Sequence, residues 1–269
     1  MATWDEAAPP SLPPLGLPQK LLGGARVGAL VAVTGASLAV FLAGKAAQRH
    51  VWSGMRLHHA TARFWARTML WLMGVRPRLN GRRARGAGVI LANHSSWADI
   101  LALRATGTVN FVSKAEVRAW PGIGPIAAIC DTVFIERRRL DAARQKDEIG
   151  ARIAQGETLC IFPEGTSSDG LRVLPFKSTL LSALFQEGVR ETAWVQPATL
   201  NWRPPERLPR EFYGWWGTMS FEGHIWQVVC RSWGGEVEIA LHEARPVAAF
   251  PDRKALTRHV EEAVRAAKR

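Results

Sequence analysis

Along most of the chain, apolar residues come in short unbroken runs separated by longer stretches where they recur every three to four positions. The runs at 88–92, 109–113, 132–136, 158–162, 193–200 and 235–241 read as buried strands. The stretches 97–106, 139–155, 177–187 and 223–232 between them carry helical spacing, and a last one covers 252–267. Strands alternating with helices predict an α/β fold, with a mixed, largely parallel sheet flanked by helices. Gln196-Pro197-Ala198 interrupts one run, which places that strand at an edge or a bulge, because proline donates no ladder hydrogen bond. Gly122-Ile123-Gly124-Pro125-Ile126-Ala127 has dinucleotide-type glycine spacing. No strand precedes it and Pro125 removes a donor, so it reads as a loop.

Upstream of residue 86 the pattern changes. Residues 1–20 hold Pro9, Pro10, Pro13, Pro14 and Pro18 and read as an irregular, mobile leader. No charge interrupts Val27 to Gly44, and Arg26 and Lys45 bracket the run. As a helix this run is about 27 Å long, enough to cross the hydrocarbon core of a bilayer. Arg49, Arg56, Arg63 and Arg67 then interleave with Trp52, Met55, Phe64, Trp65 and Trp71, the pattern of an interfacial helix. Arg76, Arg78, Arg82, Arg83 and Arg85 complete a basic cluster suited to anionic headgroups. The division that follows is a leader at 1–20, a membrane-embedded helical and basic interfacial segment at 21–85, and an α/β domain at 86–269. The arginines place the domain on the cytoplasmic side.

Composition narrows the partners. A net charge of +12 calls for an acidic one: nucleic acid, an anionic membrane surface or a phosphorylated substrate. Twelve Trp against one Tyr favours a membrane interface. The basic residues gather beside the apolar run and no nucleic-acid motif is present, so a nucleic-acid-binding protein is the distant alternative and no nucleic acid is expected as partner. Cys130, Cys160 and Cys230 are odd in number and far apart, which offers no disulfide framework.

Candidate chemistry follows three of the strands. Asn93-His94-Ser95-Ser96-Trp97-Ala98-Asp99 leaves the 88–92 run and enters a helix. Residues five apart on one regular helix point roughly 140° apart. His94 and Asp99 therefore meet only if His94 lies in the turn and Asp99 in the first helical turn. Ser96-Trp97-Ala98-Asp99 also reads as a capping box, in which Asp99 reaches back to the cap amide. Arg137 follows the 132–136 run, where an anion would relieve its position at a helix start, although a solvated charge run explains it as well. Phe162-Pro163-Glu164-Gly165-Thr166 follows another strand, and such a turn either cradles an anion on its amides or is an ordinary turn. Lys177 opens the next helical stretch. There is no G-x-S-x-G elbow, H-E-x-x-H or Walker loop.

Taken in order, Asn93-His94-x-x-x-x-Asp99, Phe134-Ile135-Glu136-Arg137, Phe162-Pro163-Glu164-Gly165-Thr166 and Val195-Gln196-Pro197-Ala198 resemble the motifs of the glycerolipid acyltransferase family, best known for its 1-acylglycerol-3-phosphate acyltransferases. The resemblance covers roughly residues 60 to 245. It implies a membrane-bound enzyme that moves an acyl chain from a thioester, on coenzyme A or acyl carrier protein, to the free hydroxyl of a lysolipid. His94 would be the general base and Asp99 its orienting partner. Arg137 would hold the acceptor's anionic head, with Lys177 in support, and Glu164, Gly165 and Thr166 would shape the acceptor site. The resemblance implies no metal and no other cofactor, and it suggests a bacterial inner membrane. The default acceptor is 1-acyl-sn-glycerol-3-phosphate, giving phosphatidic acid. Ser167 stands where the family usually has arginine, and Gly165–Gly170 with Gly214-Trp215-Trp216-Gly217 look closer to lyso-ornithine lipid acyltransferases, the alternative acceptor class.

Overall fold

A computed structural model describes residues 4–50, 57–135 and 142–269. Its centre is an eight-stranded sheet in the order β1-β7-β6-β2-β5-β3-β4, with β8 beside β6. The strands are β1 (Val75–Asn80), β2 (Gly88–Ala92), β3 (Asn110–Lys114), β4 (Val133–Ile135), β5 (Thr158–Ile161), β6 (Trp194–Arg203), β7 (Gly235–Leu241) and β8 (Arg245–Pro246). The run β6-β2-β5-β3-β4 is parallel throughout, whereas β7 and β8 meet β6 antiparallel. The helices are α1 (Leu17–His50), α2 (Leu57–Leu72), α3 (Asp99–Thr106), α4 (Ile123–Ile129), α5 (Ala142–Ala154), α6 (Val189–Thr192), α7 (Phe221–Arg231) and α8 (Arg253–Ala267).

Alternation along β2 builds two cores. Ile90 and Ala92 face a layer containing Met69 and Leu70 of α2, Leu101 and Leu103 of α3, and Val228 and Val229 of α7. Val89 and Leu91 face Ile149 and Ile153 of α5 and Leu256, Val260 and Val264 of α8. β2 is fully buried, which is why its sequence is an unbroken apolar run rather than an alternating one.

Four sequence expectations are corrected. Val75–Asn80, assigned to the basic interfacial segment, is a strand of the sheet. Its Arg-Pro-Arg start hides the signal, and an edge position tolerates it: only Val75 is buried, and Arg78 pairs with Glu236 across β7. β6, read as an edge or bulged strand, is interior. Pro197 sits opposite the corner between β7 and β8, where its carbonyl accepts from His242 N and its missing donor leaves no gap in either pairing. Residues 122–127 are not all loop. α4 starts at Ile123 and keeps Pro125 in its first turn, where the lost N–H has no helical acceptor anyway. Gly124 is required there, since a Cβ would lie 2.0 Å from the Arg118 carbonyl oxygen. The 177–187 stretch forms a 3-10 helix, Ser178–Phe185.

The proline-rich leader also differs from expectation. Helix α1 begins inside it, at Leu17. Trp4 is buried against Trp216, whose indole N–H donates to the Ala7 carbonyl at 2.7 Å. Arg231 reaches the Pro13 carbonyl. Side chains of the domain thus hold the leader at two of its carbonyls, those of Ala7 and Pro13.

Helix α1 is long and apolar enough to cross a membrane, and most of its apolar stretch is uncovered. The two charges that bracket the stretch are tied to the globular part. Arg26 donates to the carbonyls of Val229 and Ser232 at the end of α7, and Lys45 binds Asp131 at 2.7 Å just beyond α4.

Candidate functional site

Parallel strands bring their C-terminal ends to one edge of the sheet, and the sequence places its polar motifs there. Two residues past the end of β2 stands His94. The chain then turns, and α3 begins at Asp99. This is the geometry that the five-residue spacing requires, and the His94 Nδ1 to Asp99 Oδ2 distance is 2.9 Å.

The cap differs in detail from the sequence reading. The residue before α3 is Ala98, which offers no side-chain cap, and Ser96 Oγ accepts from the Ala98 amide instead. The Asp99 carboxylate does reach back. Its Oδ2 accepts the amides of Ser95 at 2.7 Å and Ser96 at 2.8 Å, and its Oδ1 accepts the Trp202 indole N–H at 2.6 Å. Asp99 has 0% exposure, and both of its carboxylate oxygens find donors inside the protein. The positive end of α3 adds to this anion site.

His94 is held from several sides. Its ring stacks on Phe162 with centroids 4.1 Å apart. Its carbonyl accepts from the Ser168 amide, and its N–H donates to Glu164 Oε1 at 2.7 Å. Asn93, the preceding residue, clamps both backbone groups of Leu200 on β6. The His94 side chain stays 20% exposed. With Nδ1–H given to Asp99, Nε2 carries the free lone pair. A buried carboxylate behind an imidazole whose other nitrogen is reachable suits proton abstraction from a bound hydroxyl.

The remaining sequence candidates fall around this pair. Glu164 is 1% exposed and points inward; its second oxygen accepts the Leu174 amide at 3.0 Å. Gly165 has φ +70, and the Lys177 ammonium lies against it, 3.2 Å from where a Cβ would be. Thr166 is half-buried in the same turn. Arg137 lies outside the described residues. Among the described residues no group of three or more His, Cys, Asp or Glu is placed to hold a metal ion.

Burial pushes the Glu164 carboxyl up to about 8, against the opposing pull of its two amide donors. Because the folded value lies above the ordinary one near 4.5, Glu164 favours the fold at low pH, and this contribution is lost as pH rises toward about 8. In Glu164→Gln that slope disappears. The unfolding temperature of the variant relative to wild type should rise between about pH 5 and about pH 9. A constant difference across that range would show that Glu164 does not titrate there.

Trp202 escaped the sequence reading, since nothing near it in the chain points to Asp99, 103 residues away. Its place at the C-terminal end of β6, beside β2, was the available signal. Trp202→Phe removes one hydrogen bond to a carboxylate that keeps its other donors. A loss of about tenfold in kcat is expected, with little change in KM; unchanged kcat would mean the other donors suffice.

Residues 75–199 match the family model described as Acyltransferase. Over 258 residues the chain is 38% identical to the lyso-ornithine lipid O-acyltransferase of Rhodobacter capsulatus, covering 94% of each sequence. The chain belongs to the acyltransferase family. A second relative of this acyltransferase is the lyso-ornithine lipid O-acyltransferase of Brucella abortus, 39% identical over 214 residues, or 76% of this chain and 79% of the relative. The fold is that of the crystal structure of the 1-acyl-sn-glycerophosphate acyltransferase of Thermotoga maritima, with a TM-score of 0.63 at 21% identity, covering 92% of this chain and 95% of that one.

Proposed function

We propose that this acyltransferase transfers an acyl chain from a thioester donor, on coenzyme A or acyl carrier protein, to the free hydroxyl of lyso-ornithine lipid. The carrying observation is the His94–Asp99 pair at the end of β2, in a chain similar over 94% of its length to a lyso-ornithine lipid O-acyltransferase. In the step, His94 Nε2 takes the hydroxyl proton as the oxygen attacks the thioester carbonyl. The C–S bond breaks, and the leaving thiolate receives the proton back from His94. Asp99 orients the imidazole and stabilises its charged form. No acyl-enzyme forms and no metal is assigned a part.

Ser167, at the position the family usually gives to arginine, is buried, and its hydroxyl donates to the Trp215 carbonyl. That side chain therefore braces the turn internally and offers no charge to a phosphomonoester. Arg137 and Lys177 are assigned to the acceptor's anionic group, and Gly165 and Thr166 to the wall of its site. The enzyme is assigned to a bacterial inner membrane, bound through α1, with its α/β domain on the cytoplasmic side. Both charged flanks of the apolar stretch are anchored to the domain, which supports a helix lying along it at the membrane.

One acceptor panel tests the reading. Detergent-solubilised protein with a labelled acyl thioester receives lyso-ornithine lipid, lysophosphatidate and lysophosphatidylcholine in parallel. The expected result is preferential labelling of ornithine lipid. Preferential formation of phosphatidic acid would overturn the acceptor assignment, and no transfer to any of the three would overturn the lysolipid class.

A further inference from the structure

The chain just beyond α8 returns to the site. Asn201 on β6 clamps it: the side-chain amide donates to the Ala267 carbonyl at 3.0 Å, and the side-chain oxygen accepts the Arg269 amide at 3.0 Å. Between these two anchors Lys268 extends inward and donates from Nζ to the Leu200 carbonyl at 3.1 Å. That same carbonyl accepts Asn93 Nδ2, and Asn93 Oδ1 accepts the Leu200 amide. The ammonium therefore shares its acceptor with the residue that precedes His94.

The charges around it are unbalanced toward acid. Asp99 of α3 and Glu164 and Asp169 of the turn after β5 attract the ammonium, and Arg210 beyond β6 repels it. All three carboxylates are buried. Asp169 has Arg172 at 3.0 Å, and Asp99 has His94. Among the described residues Glu164 has no direct ion pair, although its two acceptor contacts hold the His94 and Leu174 amides. A carboxylate removed from water keeps its charge only where donors or a counter-charge replace the lost hydration. Desolvation pulls the Lys268 ammonium below its ordinary range, and the three carboxylates work against that pull.

We infer that Lys268 is a positioning residue for acyl transfer: seated on the Leu200 carbonyl that also holds Asn93, its ammonium is the counter-charge that lets the buried Asp99 carboxylate hold the His94 turn. The inference rests on the assignment of His94 and Asp99 to the chemistry. Lys268 touches neither substrate nor reacting atoms; it acts through Asp99 and the Asn93–Leu200 clamp.

The test uses the full-length protein in detergent. The kcat and KM of wild type, Lys268→Met, Lys268→Arg and His94→Ala are followed across pH. Lys268→Met should lower kcat about tenfold with KM within about twofold, and move the low-pH limb of kcat/KM upward by about half a unit or more. Lys268→Arg should restore both. Lys268→Gln replaces the Met variant if the latter does not fold. A wild-type profile in the charge-less variant overturns the inference, as does equal impairment of the Arg and Met variants, which marks a packing role. Retained activity in His94→Ala would instead overturn the site assignment, a result independent of the Lys268 arms.

Discussion

His94→Ala should lose acyl transfer by about 10²–10⁴-fold, the range contributed by a positioned general base, while the protein stays folded and membrane-bound. The side chain removed is 20% exposed and gives up a ring stack on Phe162 worth about 0.5–1.5 kcal/mol. Its backbone contacts to Glu164 and Ser168 survive in the variant. Transfer to the acceptor and the unfolding temperature are measured on the same preparation. Full activity would remove His94 from the chemistry. An unfolded variant would contradict the view that its backbone, not its ring, holds the turn.

Asp99→Ala should behave differently, and the contrast separates the two roles. Here activity and stability fall together. The buried donors of Ser95, Ser96 and Trp202 lose their acceptor at once. A buried donor left unpaired costs about 1–3 kcal/mol, so about 3 kcal/mol or more is at stake. For a chain of this size that corresponds to a drop of roughly 6–12 °C in unfolding temperature. Asp99→Asn should be nearly as damaging, because an amide cannot accept all of these donors. An alanine variant as stable as wild type would show that water replaces the carboxylate, in conflict with its 0% exposure.

Much of this arrangement was legible in the sequence because the informative residues are local. A short apolar run of five residues between turn residues reads as a buried strand, and β2 is one. The His94–Asp99 spacing permits contact only across a strand-to-helix turn, and the fold supplies that turn. What escaped was set by partners far along the chain. β1 exists because β7 offers it a parallel edge and Glu236 meets Arg78, information absent from Val75–Asn80 itself. Residues 122–127 read as a loop once their dinucleotide fingerprint failed, and the helix that α4 forms there, with Pro125 in its first turn, went unread. Trp202 and Lys268 act across the sheet on residues with which they share no periodicity. The leader reads as unstructured by composition, and side chains far along the chain, Trp216 and Arg231, show where it docks.

β6 runs beside β2 in one register, with Ala92 against Ala198, and three of its residues serve the site: Leu200 under the Asn93 clamp, Asn201 holding the chain beyond α8, and Trp202 on Asp99. Sliding a strand by one residue turns every side chain to the opposite face. A slipped β6 would still bury apolar surface, yet it would carry the indole away from Asp99 and the clamp away from its carbonyl. Competence for acyl transfer is thus a readout of strand registry. In a partly misfolded preparation the fraction of active molecules should fall, while each molecule that works turns over at the full rate.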